Sequence, residues 1–181
     1  EWVDGFIPYH ARRFARILTG PEAADIVAQA TNTAATFNLK QYGEQKRYIK
    51  ELTNPADMRI DKQSENRDVF SFMQAYFQTE RALPPGEKSM ASPIQAMMMM
   101  SSPVVTSRVD KDGDTRVAAL LKSNKSDDEI IEELVLTSLS RFPTAAEIEV
   151  AKHLIEEKGR SEAVETFQWV LLNNPEFLLN H

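Results

Sequence analysis

Ser126-Asp127-Asp128-Glu129, Phe142-Pro143-Thr144-Ala145-Ala146-Glu147 and Gly159-Arg160-Ser161 punctuate residues 126–181 and decide the fold. The first two contain Ser/Thr-x-x-Glu, a capping box: the hydroxyl accepts from the amide three residues on, and the Glu carboxylate reaches back to the cap amide. Behind them run apolar rows at helical spacing. Ile130, Ile131, Leu134 and Val135 form the buried face of a helix over 128–140, and Ile148, Ala151, Leu154 and Ile155 that of a helix over 145–158. Gly159 stands where a left-handed C-terminal cap belongs, and Ser161 reads as the cap of a last helix with Val164, Phe167, Val170 and Leu171 facing inward. Asn174-Pro175-Glu176 restarts a final turn that carries Phe177 and Leu178. Helices joined by connections this short pack antiparallel.

Working back from that C-terminal three-helix segment, Ser92-Pro93 starts a short helix through Met97-Met98-Met99-Met100, and Ser101-Ser102-Pro103 stops it. A helix over 116–122 either continues one begun near Val104 or re-begins near Asp114. The aromatic stretch from Val69 through Phe70, Phe72, Tyr76 and Phe77 follows neither period cleanly, so pattern does not separate helix from strand there. Residues 33–68 read as a long, partly helical connection, broken at Tyr42-Gly43, Asn54-Pro55 and a polar run over 61–67, with two helical turns allowed over 44–52. Nearer the start, Phe14, Ile17 and Leu18 share one helical face, and Thr19-Gly20-Pro21-Glu22 opens a second helix whose small face is Ala24, Val27, Ala28 and Thr31. The expectation is one all-α domain over 1–181, an irregular multi-helix bundle with long partly ordered loops, ending in short antiparallel helix pairs.

Composition narrows the function classes. A chain of 181 residues with 42% hydrophobic residues can bury a real core. A formal net charge of −6 argues against nucleic-acid and anionic-membrane binding, which need a basic face to displace counterions. The surplus is local: from Leu121 onward there are twelve Asp or Glu against six Lys or Arg. Zero cysteines remove disulfides, thiolate zinc sites, cysteine nucleophiles and the thioether attachment of c-type haem from this segment. No apolar run approaches the roughly 20 residues that span a bilayer. The chain opens on Glu1-Trp2-Val3-Asp4-Gly5, without Met or an export signal, and is expected to be part of a longer protein.

Two stretches carry a family resemblance: Leu139-Ser140-Arg141-Phe142-Pro143-Thr144-Ala145-Ala146-Glu147 and Trp169-Val170-Leu171-Leu172-Asn173-Asn174-Pro175-Glu176-Phe177. They resemble the C-terminal domain of unknown function 1553 of large exported planctomycete and acidobacterial proteins, often found with a cytochrome c-like domain and the companion domain 1549. Tyr9-His10-Ala11-Arg12-Arg13-Phe14 and Ser92-Pro93-Ile94-Gln95-Ala96-Met97 fit the same pattern. Ser101 stands where the family often has Asn, and Arg81-Ala82-Leu83-Pro84-Pro85-Gly86 replaces a stretch that commonly contains Cys. The resemblance implies an extracytoplasmic location, haem only in an upstream domain, and upstream domains of the same chain as partners. It carries over no catalytic residue.

Candidate chemistry is thin. Asp110-Lys111-Asp112-Gly113-Asp114 alternates oxygens like a calcium loop, but its Gly comes too early and Leu121 occupies the twelfth position, so a solvated turn is the reading. The Met97 to Met100 run is assigned to core packing ahead of thioether ligation. His10, His153 and His181 have no metal-ligand spacing. Arg12, Arg13 and Arg16 could grip acidic groups bidentately, although snorkelling and structural ion pairs are preferred for them; Arg12 and Arg13, with Arg81 and Gln95, form the candidate binding set. Arg141 is expected to bond the last carbonyls of its helix, and Asn174 with Glu176 to cap the final turn. The functional expectation is a non-catalytic structural or binding module closing a larger exported bacterial protein, with another protein or a polysaccharide as partner. The alternative is a piece of a haem-linked extracytoplasmic oxidoreductase or a carbohydrate-processing protein whose active residues lie partly elsewhere.

Overall fold

The computed structural model describes residues 16–37, 45–53, 64–76 and 93–180, and among them the protein is all-α. Eight helices follow in order: α1 (Gly20–Thr31), α2 (Ser64–Ala75), α3 (Pro93–Ser101), α4 (Pro103–Thr106), α5 (Arg116–Leu121), α6 (Asp127–Leu139), α7 (Ala145–Lys158) and α8 (Arg160–Leu172). Single turns of 3-10 helix stand at Ile49–Glu51 and Pro175–Leu178.

Caps place these helices. Thr19, Ser126 and Thr144 each receive the amide of a Glu three residues on, and that Glu carboxylate accepts from the cap amide at 2.9, 2.8 and 2.8 Å respectively. Ser102 caps α4 through the amide of Val104, and Thr115 caps α5 through that of Ala118, so α5 re-begins instead of continuing α4. Asn174 accepts from the amide of Glu176 to start the last turn, as its sequence implies.

α8 is the spine between two apolar clusters. Its Val164, Phe167 and Leu171 pack with Val117, Leu120, Ile130, Ile131, Leu134, Val135 and Ala151 from α5, α6 and α7. Its Leu172 belongs to the other cluster, with Val27, Phe37, Ile49, Phe72, Met73, Met99 and Val105, while Leu139 at the end of α6 touches both. Arg116 ties the two sides together: its guanidinium donates to the carbonyls of Ala30 and Gln29 at the end of α1, at 2.7 and 3.2 Å, and meets Glu133 of α6 at 3.3 Å. Orphan carbonyls at a helix C-terminus favour a cation at that spot.

Small residues let α1 lie close to α2. A methyl group on Gly20 would come within 3.0 Å of the Met73 carbonyl oxygen. Asp25, buried on α1, anchors the 3-10 turn: its carboxylate accepts from the amides of Ile49 and Lys50 at 2.7 and 3.0 Å. Burial raises the Asp25 pKa above its ordinary value despite those two bonds.

Several expectations are corrected. Arg16 and Ile17 are extended: strand β1 (Arg16–Ile17) pairs antiparallel with β2 (Leu179–Asn180), and Leu18 N–H donates to the Leu178 carbonyl at 3.1 Å. The cause is local and distant at once, since Thr19 must stay extended to cap α1 and the chain end supplies a pairing edge. The rest of the proposed first helix lies outside the described residues. α2 starts inside the polar run assigned to the 33–68 connection, because the half-buried aromatic segment it leads into is helical. Within that connection, Phe37 and Lys46 exchange backbone bonds of 2.8 and 3.1 Å, and a single 3-10 turn replaces the two helical turns allowed over 44–52. Gly159 has φ 83° and ψ 156°, an extended positive-φ state open to glycine alone, and α8 starts directly after it, leaving Ser161 in the first turn and not at the cap. Val170 is exposed, and Leu172 takes the inward position instead.

Candidate functional site

The end of α2, the face of α3 and the end of α8 meet around an apolar groove of about 510 Å³. Tyr76, Gln95, Met99 and Trp169 belong to its walls, with Asn173 and Leu178 at the α8 end. No wall residue among those described is charged. The volume falls in the range of small-molecule sites, which are mostly apolar with a few placed polar groups.

Local bonds hold the walls. The indole N–H of Trp169 donates to the Met100 carbonyl at 3.2 Å, pinning α8 to the end of α3. The Asn173 side-chain amide donates back to the Trp169 carbonyl at 2.9 Å, closing α8 at that end. Tyr76 follows α2 directly; its ring tilts against Phe72 at 5.3 Å between centroids and its amide donates to the Met73 carbonyl. The residue is 3% exposed, and its buried hydroxyl has no hydrogen-bond partner among the described residues. Burial pushes that phenol up to about 12, so it is a neutral donor throughout the physiological range.

Of the candidate binding set, Gln95 is buried on α3 at this groove. Arg12, Arg13 and Arg81 lie outside the described residues. The methionine run divides: Met99 is 1% exposed in the core and Met98 is half-buried, but Met97 and Met100 are exposed, because consecutive helical positions cannot all face one core. Core packing is therefore corrected to the buried side of the run. His153 is exposed, with Glu157 at 3.9 Å, and His10 and His181 lie outside the described residues. Asp110 to Asp114 form a turn closed on itself: Asp110 accepts the Asp112 amide through Oδ1 at 2.8 Å and the Thr115 hydroxyl through its carbonyl at 2.7 Å. Among the described residues, no three His, Asp or Glu side chains are grouped to hold a metal ion, and no helix is long and apolar enough to cross a membrane.

The charged groups with displaced pKa values have structural partners. Arg141 does not bond the helix carbonyls expected of it. Its Nε and Nη2 meet Glu176 at 2.8 Å each, Nη1 and Nη2 meet Glu147 at 2.9 and 2.7 Å, and Nη1 donates to the Phe142 carbonyl at 3.1 Å. The guanidinium, then burial working against it and the Thr144 cap working with it, leave the Glu147 carboxyl lowered to about 2. One arginine thus locks the α7 capping box to the turn after α8. The hollow beside Glu176 is more polar, lined by Thr137, Ser138 and Ser140 as well as Leu18 and Phe177, and its acid is already engaged by Arg141.

Tyr76, Trp169 and Asn173 were not among the residues proposed for binding. Trp169 and Asn173 stood in the family-like closing stretch and Tyr76 in the aromatic cluster, but only packing of α2, α3 and α8 makes them neighbours. No family model, curated protein or solved structure matches this chain.

Proposed function

We propose that the chain is a non-catalytic binding module of a larger exported bacterial protein, and that the α2–α3–α8 groove is where it holds its ligand. The observation that carries this reading is a concavity of about 510 Å³ whose described walls are uncharged and largely apolar, with Tyr76, Gln95 and Asn173 as polar points among them. Two carboxylates that the fold perturbs support the non-catalytic part: Asp25 and Glu147 are occupied by backbone or arginine partners, and neither lines the groove. The exported setting, and attachment to upstream domains that carry any haem, follow from the family resemblance.

Titration of the full chain with Nile red, a neutral apolar dye, tests the reading. Ala96 lines the groove and is exposed on α3, so Ala96→Glu places a charge in the wall while leaving the helix intact. The dye should brighten on the wild type and bind the variant on the order of tenfold more weakly, at an unchanged melting temperature. Equal binding to both would refute the groove as the site. A Soret band retained by the purified chain would overturn the non-catalytic assignment.

A further inference from the structure

We propose that Met97 and Met100 of α3 are reversible oxidation sites, and that conversion of the Met100 thioether to its sulfoxide weakens the hold of the α2–α3–α8 groove on apolar ligands; the second part rests on the groove being a binding site. Four consecutive methionines are spread around a helix at about 100° per residue, so they cannot share one environment. Met97 and Met100 are 64% and 53% exposed, Met98 is half-buried, and Met99 is 1% exposed in the core. Met73 on α2 is fully buried. Positions three apart lie on one face of a helix, which puts the two open thioethers on the same side of α3. A peroxide must reach the sulfur to oxidise it, so access ranks Met97 and Met100 first among the described methionines.

Met100 joins that access to the groove. It is one of the wall residues, and its main-chain carbonyl accepts the Trp169 indole N–H at 3.2 Å, a bond that does not involve the sulfur. The chemistry is a two-electron oxygen transfer. A sulfur lone pair attacks the hydrogen-bearing oxygen of hydrogen peroxide or an organic hydroperoxide, and an S–O bond forms as the O–O bond breaks. The proton of the transferred oxygen passes to the departing one, which leaves as water or alcohol. Sulfur is oxidised and the peroxide reduced; a methionine sulfoxide reductase later removes the oxygen as water while two of its thiols become a disulfide. The sulfoxide is a polar, hydrated group in a wall whose described residues are largely apolar, and an apolar ligand would have to strip its water without replacing it.

Hydrogen peroxide treatment of the full chain, read by peptide mass mapping and by Nile red titration, is the test. Met97 and Met100 should each gain one oxygen well before Met73 and Met99, and the melting temperature should hold. Dye affinity should fall roughly tenfold and return after treatment with the two reductases that take one sulfoxide epimer each. Met100→Leu, whatever its starting affinity, should keep that affinity through peroxide, whereas Met97→Leu should still lose it. Oxidation of Met73 or Met99 as fast as Met100 overturns the assignment of the sites. A loss of affinity that persists in Met100→Leu, that comes with a lower melting temperature, or that the reductases fail to reverse overturns the role of Met100 and leaves the groove standing, as does an affinity unchanged in the oxidised wild type. If Nile red ignores Ala96→Glu before any peroxide is added, the groove reading fails and the role of Met100 in ligand binding with it, while the mass map still decides the oxidation sites.

Discussion

Replacing Arg141 by Ala removes four charge-assisted bonds of 2.7 to 2.9 Å, two to Glu147 and two to Glu176, together with the contact to the Phe142 carbonyl. The side chains of Arg141, Glu147 and Glu176 are 33%, 22% and 34% exposed, so solvent screens the cluster in part. An isolated exposed pair is worth about 0.2–1 kcal/mol, and bidentate geometry in a network places each arm at the upper end. Two arms together come to about 2 kcal/mol. For a chain of 181 residues each kcal/mol moves the melting temperature by about 2–4 °C, so Arg141→Ala should melt about 4–8 °C below the wild type.

The same variant has a pH signature. Glu147 is lowered from its ordinary 4.5 to about 2 in the folded protein, chiefly by the Arg141 guanidinium. A folded value below the unfolded one means that this stabilisation is present above about pH 4.5 and is lost as pH falls toward 2. The gap between wild type and variant, followed by far-ultraviolet circular dichroism melts, should therefore be widest near neutrality and close through that acid window. Arg141→Lys should recover less than half of the loss, because an ammonium cannot serve two carboxylates bidentately. A neutral-pH difference under about 1 °C, or a gap that stays constant down to the acid limit, would refute the account of Arg141 as the lock between α7 and the final turn.

Two further perturbations bear on α1. Asp25→Ala should cost about 2–4 kcal/mol in urea unfolding by orphaning the amides of Ile49, which is buried, and of Lys50, whereas Asp25→Asn, whose one oxygen accepts from only one of them, should cost about half as much. Burial raises this carboxyl above its ordinary 3.8, so charging it opposes folding: Asp25 contributes a decline in stability as pH rises past that value, and Asp25→Asn should lack this contribution. Gly20→Ala should lose about 1–3 kcal/mol, with an unchanged denaturant slope, because its methyl group would press on Met73 backbone atoms at 3.0 and 3.1 Å.

The C-terminal helices were the most legible part of the chain, since a capping box is a contact within four residues and needs no knowledge of the rest. Ser126 with Glu129 and Thr144 with Glu147 form the bonds that their spacing implies. The aromatic segment before Tyr76 was ambiguous because its apolar residues are too many to show a face. Packing chose helix by burying Val69, Phe72, Met73 and Tyr76 against α1 and its neighbours. Arg16 and Ile17 were misread as helical because their strand partner stands at the other end of the chain. The groove was illegible for the same reason: Tyr76, Gln95 and Trp169 come from three separate helical segments, and only Gln95 stood among the candidate binding residues.

By itself, the sequence determined the all-α class, the capped starts of α6 and α7, the proline-marked turns and the absence of cysteine chemistry, because each rests on covalent identity or on contacts within a single turn. Tertiary structure alone decided that Arg141 reaches Glu147 and Glu176 at once, that Arg116 closes the end of α1, and that Tyr76 and Trp169 wall one groove. Those are meetings of residues from 6 to 93 positions apart, and which of many possible partners a side chain finds is settled by how the two apolar clusters close around α8.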